Sequence, residues 1–103
     1  RQLDGSRSPF DQLAESVDAV GDKIDVICEG GFQRGTHMLK ALSIGAKACS
    51  GGRLYLYALA AAGQAGVERA LGQYKAELER DMKLMGCKKI SDLNRDNLRF
   101  RKL

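Results

Sequence analysis

The sequence predicts an α/β fold with parallel strands. Two short apolar segments, residues 24–28 and 47–50, have the composition of strands, and one helical segment lies between them. Strands joined by a crossover helix run parallel, and a parallel sheet needs cover on both faces. Two such strands cannot form a complete sheet of this kind, so the 103 residues are predicted to be part of a domain.

The first two helices have clear boundary signals. Ser8 is a favourable N-cap and Pro9 suits the first helical position, so a helix is predicted from there to about Val20. Apolar residues recur at helical spacing along it. A second helix is predicted between the two strands, over residues 35–44, with Gly45 as its stop.

Two further helical runs follow the second strand. They are predicted over residues 54–61 and 65–85, with an interruption at Gly63 and a stop at Gly86. The apolar stretch 54–60 is predicted to pack in the core rather than to contact a cofactor. Ser91 is predicted to cap a last helical turn.

The net charge of +4 lies in the C-terminal tail, residues 88–103. The chain has 17 Lys and Arg against 13 Asp and Glu, and the charges before the tail cancel. A basic tail can be a nucleic-acid arm, a solvated segment or a segment that docks on an acidic neighbour. Its one aromatic residue, Phe100, and its lack of a known binding motif lead us to expect no nucleic-acid partner.

The cysteines and the histidine give no sign of a metal or nucleophilic site. Cys28, Cys49 and Cys87 are odd in number and lack CxxC or His-paired spacing, so we expect neither a disulfide framework nor a metal site. Cys28 and Cys49 are predicted to pack as small apolar residues. His37 is expected to be a surface residue rather than a catalytic base. We expect a cytoplasmic, reducing location, because no secretory signal or membrane-spanning run is visible.

Two glycine-rich turns each follow a predicted strand and lead into a helix. The first glycine turn is residues 29–36 and the second glycine turn is residues 50–53. Glycine lets the backbone approach a ligand, and N–H groups at a helix start favour an anion. A single turn of this kind is usually only a tight connection. Two at consecutive strand ends favour a phosphate site, with Arg34 or Arg53 as a charged partner.

The motifs, taken in order, resemble the C-terminal part of the FMN-dependent α-hydroxy-acid dehydrogenases and oxidases. The resemblance extends from the first residue to about Arg99. It rests on the opening Arg1-Gln2-Leu3-Asp4, the first glycine turn, residues 40–48, Gly52-Arg53 and Met85-Gly86-Cys87. It implies a TIM (β/α)8 barrel, of which residues 1–103 would be the C-terminal portion, about strands 7 and 8 with their helices.

The resemblance also implies an activity and a set of site residues. The activity is FMN-dependent oxidation of an L-2-hydroxy acid, such as lactate, to the 2-oxo acid. Arg1 would bind the substrate carboxylate, and the catalytic His of the family would fall before Arg1, so no catalytic residue is expected in this chain. The residues implied to hold the FMN phosphate are Glu29, Gly30, Gly31, Phe32, Gln33, Gly52 and Arg53.

The resemblance implies partners as well. The full-length protein is expected to be a homo-oligomer that passes electrons to oxygen, a cytochrome or a membrane quinone. Any membrane association would come from a part outside this chain.

The sequence departs from the family pattern at several site positions. Glu29 stands where Asp is usual, and Gln33 stands where Arg is common, which removes a positive charge. Gly51 replaces a larger apolar residue, and Leu54 replaces a frequent Pro. Two alternatives to the enzyme stay open: a non-catalytic truncated remnant of such an enzyme, and another FMN- or phosphate-binding TIM-barrel enzyme.

Overall fold

Helices and short strands alternate along residues 3–101, the part of the chain that this computed structural model describes. The elements in order are helix α1 (Pro9–Val20), strand β1 (Ile27–Glu29), helix α2 (Gly35–Ile44), strand β2 (Ala48–Ser50) and helix α3 (Arg53–Leu84). Two 3-10 turns, Ile90–Asp92 and Arg95–Asn97, follow in the tail. The predicted order of helices and strands is therefore confirmed.

Helix α1 begins as the sequence predicts. Ser8 is extended, and its hydroxyl accepts a hydrogen bond from the N–H of Asp11 at 3.1 Å, while Pro9 opens the helix. Leu13 carries the apolar face of α1 into the core and is 3% exposed. The capping signal and the helical periodicity therefore placed this helix correctly.

Strands β1 and β2 pair in parallel, and α2 is the crossover between them. Cys28 lies opposite Cys49 in the register, and Glu29 lies opposite Ser50. The prediction that the first strand starts at Ile24 is wrong. The N–H groups of Lys23 and Ile24 both donate to the carbonyl of Val20 at 2.9 Å, so the turn that ends α1 continues beyond the predicted strand start.

Helix α3 is divided by a kink at the predicted interruption. Ala62 (φ −152°, ψ 24°) and Gly63 (φ 57°, ψ −141°) have non-helical backbone angles. Gly63 tolerates its positive φ because it has no Cβ. The prediction that the stretch 54–60 packs in the core is wrong for the described chain: four of its large side chains are 46–65% exposed, those of Tyr55, Leu56, Tyr57 and Leu59.

Two clusters of buried side chains hold the elements together. The first lies between the sheet and helices α1 and α2, and it contains Leu13, Cys28, Phe32, Ala41, Ile44 and Ala46. The second joins α2, α3 and the tail through Leu39, Met82 and Leu93. Cys28 is 3% exposed and Cys49 packs against the first cluster, as predicted, and the three cysteines are free thiols.

The tail docks on the rest of the chain instead of extending into solvent. Arg95 reaches both helices of the first cluster: its Nε donates to the carbonyl of Ile44 at 3.0 Å, and its Nη2 lies 2.8 Å from Asp18 Oδ1. Arg95 therefore docks on an acidic residue of α1, whereas Lys88, Lys89, Arg99 and Arg101 are exposed, as in the solvated alternative. Ser91 is not the predicted cap, because the 3-10 turn begins one residue before it, at Ile90.

A second polar contact joins α2 to α3. The hydroxyl of Thr36, in the first turn of α2, donates to Asp81 Oδ2 at 2.5 Å, and Arg80 Nη2 lies 3.1 Å from Asp81 Oδ1. The Thr36 hydroxyl, and then Arg80, lower the pKa of the Asp81 carboxyl below its ordinary value. Within residues 3–101, no helix combines the length and hydropathy needed to cross a bilayer.

Replacing Arg95 should destabilise the fold. Arg95→Ala removes the hydrogen bonds to the carbonyls of Ile44 and Ala14 and the ion pair with Asp18. We expect the free energy of unfolding to fall by about 1 to 2 kcal/mol, the usual range for partly exposed charge-assisted bonds. Urea denaturation measures the change. Arg99→Ala, at an exposed tail position, is the control; equal losses in the two variants would contradict the docking role of Arg95.

Stability should also fall in acid through Asp81. A carboxyl whose pKa is lowered by folding stabilises the native state above its unfolded pKa, and this contribution is lost as pH falls through the folded pKa. Urea midpoints measured from pH 6 down to pH 3 should therefore decline less steeply in Asp81→Asn than in the unchanged chain. Lys83→Gln, which removes no carboxyl, should keep the full decline. An Asp81→Asn profile as steep as that of the unchanged chain would refute the assignment.

Candidate functional site

The two glycine turns leave the sheet at the same edge. Because β1 and β2 are parallel and Glu29 is in register with Ser50, both turns start at the carboxyl ends of the strands. A Cβ built on Gly52 would lie 3.8 Å from Glu29 Oε1, so the second turn contacts the side chain that begins the first. The structure thus brings together residues that are more than 20 positions apart in sequence.

The first glycine turn presents its backbone to open space. Gly31 has φ +74°, and a Cβ built there would meet no atom within 4 Å. The Phe32 side chain is 4% exposed and lies in the first buried cluster, so it anchors the turn and leaves only its backbone for a ligand. Glu29 and Gln33 are exposed at the two sides of this backbone.

The N-terminus of α2, where the first glycine turn ends, is already occupied by a carboxylate. Glu77 of α3 accepts the N–H of Gly35 on Oε2 at 2.8 Å, and its Oε1 lies 3.4 Å from Arg34 Nη2. Glu77 is 8% exposed. The Gly35 N–H, and then the Arg34 guanidinium, lower the pKa of the Glu77 carboxyl, so it stays ionised at the helix start.

Within residues 3–101, no carboxylate accepts an N–H at the N-terminus of α3, at the second glycine turn, although Glu29 Oε1 lies near Gly52. The N-cap of α3 is Gly52, no side chain caps it, and its first turn contains no acidic residue. Arg53 is the first residue of the helix and is exposed. The two turns look alike in sequence, but one leads to a capped helix start and the other to a helix start open to an anion.

His37 lies beside the first glycine turn. His37 is half-buried, and its Nδ1 accepts the backbone N–H of Gln33 at 3.3 Å, so it braces the first glycine turn. Arg1, the residue implied to bind the substrate carboxylate, lies outside the described residues.

Glu77 is the site residue that the sequence reasoning missed. It lies 42 positions from the N–H that it accepts, and local patterns carry no information at that distance. One signal was present: Glu77 and Asp81 are four residues apart and therefore share one face of α3, together with the apolar residues Leu78 and Met82 that pack toward α2.

The chain is similar to proteins of known family. The chain matches the family described as FMN-dependent dehydrogenase over residues 1–100. L-lactate oxidase from Nostoc sp. is 45% identical over 94 residues, which are 91% of this chain and 26% of that protein. L-lactate dehydrogenase (cytochrome) from Saccharomyces cerevisiae is 43% identical over 103 residues, covering 95% of this chain and 17% of that protein.

Solved structures give the same result. A soluble mutant of the membrane-associated (S)-mandelate dehydrogenase from Pseudomonas putida superposes with a TM-score of 0.91 at 42% identity, over 98% of this chain and 28% of that one. The flavin-binding domain of baker's yeast flavocytochrome b2 superposes with a TM-score of 0.89 at 42% identity, over 93% of this chain and 26% of that one.

These structural neighbours are TIM-barrel flavoenzymes, so the expectation that the chain corresponds to part of such a barrel is confirmed. The chain spans between 17% and 28% of the length of the relatives named above. The match over residues 1–100 and the identities above 40% establish that this chain belongs to the FMN-dependent dehydrogenase family.

Proposed function

We propose that this chain supplies the FMN-phosphate site of an enzyme that oxidises an L-2-hydroxy acid to the 2-oxo acid. The observation that carries the proposal is the convergence of two glycine turns at one sheet edge, beside a helix start with no side-chain cap. Membership of an FMN-dependent family makes a flavin phosphate the fitting anion.

The residues at this edge suit a phosphate. Backbone N–H groups at the start of α3 point toward an anion, and the Arg53 guanidinium can donate two parallel hydrogen bonds to phosphate oxygens. The open backbone at Gly31 and the side-chain-free Gly52 leave room for a bulky oxyanion. The N–H of Gln33 already donates to His37 Nδ1, so we assign the phosphate to the start of α3 and the backbone of residues 30–32.

Two of the departures from the family pattern, Glu29 and Gln33, fit this assignment in different ways. Glu29 can only accept hydrogen bonds when ionised, and it would repel a phosphate, so we assign it to hydroxyl groups of the ribityl chain. Gln33 can donate its amide N–H to a phosphate oxygen without adding charge. Because Arg34 is held by Glu77, Arg53 is the cation that we assign to the phosphate.

We further propose that β1 and β2 are strands 7 and 8 of the barrel. Support comes from the burial pattern of β1, in which Cys28 is buried against the helices while Ile27 is 63% exposed on the opposite face. In a TIM barrel that opposite face points into the packed interior, and phosphate sites are frequently formed by the loops after strands 7 and 8.

The rest of the reaction is assigned by family membership. When bound, FMN would accept the two electrons that leave the hydroxy acid as it becomes the 2-oxo acid. We assign Arg1 to the substrate carboxylate, which a guanidinium binds with two parallel hydrogen bonds. Two relatives are named L-lactate oxidase and L-lactate dehydrogenase (cytochrome), so we propose oxygen or a cytochrome as electron acceptor. The resemblance to the family is the ground on which we propose a cytoplasmic homo-oligomer.

Flavin spectroscopy of the whole natural gene product tests the activity. We expect a yellow protein that releases FMN on denaturation and loses its flavin absorbance when L-lactate or another L-2-hydroxy acid is added without oxygen. D-lactate is the matched control and should leave the absorbance unchanged. A colourless protein that takes up no added FMN would refute the proposal, and so would bound FMN that no L-2-hydroxy acid reduces.

The phosphate assignment has its own test. Arg53→Gln should weaken FMN binding about 10- to 100-fold, because charge-assisted hydrogen bonds contribute about 1.5 to 3 kcal/mol. Riboflavin has no phosphate, so its affinity should stay within about twofold. Flavin fluorescence titration measures both affinities. Lys83→Gln, which removes a cation near the far end of α3, is the control. Equal losses for FMN and riboflavin would exclude a contact between Arg53 and the phosphate.

A further inference from the structure

The first glycine turn is held at its far end by helix α3. A Cβ built on Gly35 would lie 2.6 Å from the Cβ of Glu77 and 2.6 Å from the backbone nitrogen of Leu78, so the backbones of α2 and α3 meet there without an intervening side chain. Only glycine permits this approach. The start of α2 is therefore fixed by a segment more than 40 residues further along the chain.

The Glu77 carboxylate makes this approach specific. One of its oxygens accepts the Gly35 N–H at 2.8 Å and the other faces the Arg34 guanidinium at 3.4 Å. One helical turn later, Asp81 accepts the hydroxyl of Thr36. Three consecutive residues at the end of the turn are thus bound by one face of α3.

The turn is fixed at four places, and the backbone between them is the part that faces the ligand. Strand pairing holds its beginning at Glu29, the buried ring of Phe32 holds its middle, His37 Nδ1 accepts the Gln33 N–H, and Glu77 holds its end. These four anchors constrain the backbone of residues 30–32. Of the four, Glu77 is the only one formed by an ionised side chain from a distant element.

We propose that Glu77 is a positioning residue for the cofactor phosphate: from the second half of α3 it holds the first glycine turn in the shape that the phosphate requires. This inference rests on the proposed phosphate site. It gives α3 two separate tasks, because its first residue, Arg53, would contact the phosphate and its second half would set the opposite wall of the same site.

The proposal is tested in the whole natural gene product with Glu77→Gln. A glutamine amide has one acceptor, its oxygen, and one donor, its NH2 group. In either orientation the NH2 group faces one of the two donors, the Gly35 N–H or the Arg34 guanidinium, and the hydrogen bond to that partner is lost. We expect FMN affinity to fall about tenfold, the usual effect of opposing a buried donor with another donor. Riboflavin affinity should stay within about twofold. Glu79→Gln, an exposed position two residues away on the same helix, is the control.

The outcomes separate a positioning role from general destabilisation and from simple charge repulsion. Parallel losses of FMN and riboflavin affinity overturn the proposal, because they indicate a structural role only. Unchanged FMN affinity overturns it as well. A rise in FMN affinity also overturns it, since Glu77 would then act as a like charge near the phosphate. If the unchanged protein does not prefer FMN over riboflavin, the proposed phosphate site itself fails, and that result is distinct from the other three.

A milder variant covers the case in which Glu77→Gln does not fold. Thr36→Val keeps the side-chain volume and removes only the hydroxyl that Asp81 accepts. It should weaken FMN binding about threefold and leave riboflavin binding unchanged, as expected for the loss of one part-buried hydrogen bond. In that case, an unchanged ratio of FMN to riboflavin affinity in Thr36→Val overturns the proposal.

Discussion

The close approach of α3 to the start of α2 is the contact on which the arrangement depends. At Gly35 the two backbones meet without a side chain between them, which brings the Glu77 carboxylate within reach of an N–H that would otherwise be unpaired. The contact orients α2 against α3 and buries Leu39 and Met82 between them. Because α2 also covers the sheet, this one approach sets the position of the first glycine turn relative to the start of α3.

The contact between Glu77 and Gly35 makes the two glycine turns differ in how strongly their helix starts attract an anion. A helix start that already binds a carboxylate has little attraction left for a second anion, because the charge of Glu77 opposes it and the first N–H is used. The start of α3 has no acidic residue in its first turn and carries Arg53. We therefore propose that Arg53 directs the phosphate toward the second glycine turn, against the repulsion of the Glu29 carboxylate that lies near Gly52, and that the first turn contributes its backbone from the side.

Signals that act over a few residues were sufficient to predict much of the fold. Backbone preferences of nearby residues account for the Ser8 cap, the limits of α2 and the interruption at Gly63. The spacing of the two strands around one helix accounts for their parallel pairing. The two glycine turns were found for the same reason. Glu77 and Arg95 were not found, because their partners lie more than 40 residues away and only tertiary packing brings them together. The residues of the turns predicted a phosphate site and the family resemblance implied FMN as its source, but neither predicted the side chains that hold the turns.

The error in the stretch 54–60 has a physical origin that bears on function. Apolar side chains at helical spacing indicate that a helix packs against apolar partners. This chain spans about a quarter of the length of its structural neighbours, so those partners need not lie within the described residues. The edge of the sheet at which the proposed phosphate site lies is different. Its strands, both glycine turns, Arg53 and the bracing Glu77 all lie within residues 27–77, and their contacts beyond that range, with Pro9, Leu13 and Asp81, are also made within residues 3–101. The shape of the proposed phosphate site is therefore determined by residues that the structure describes.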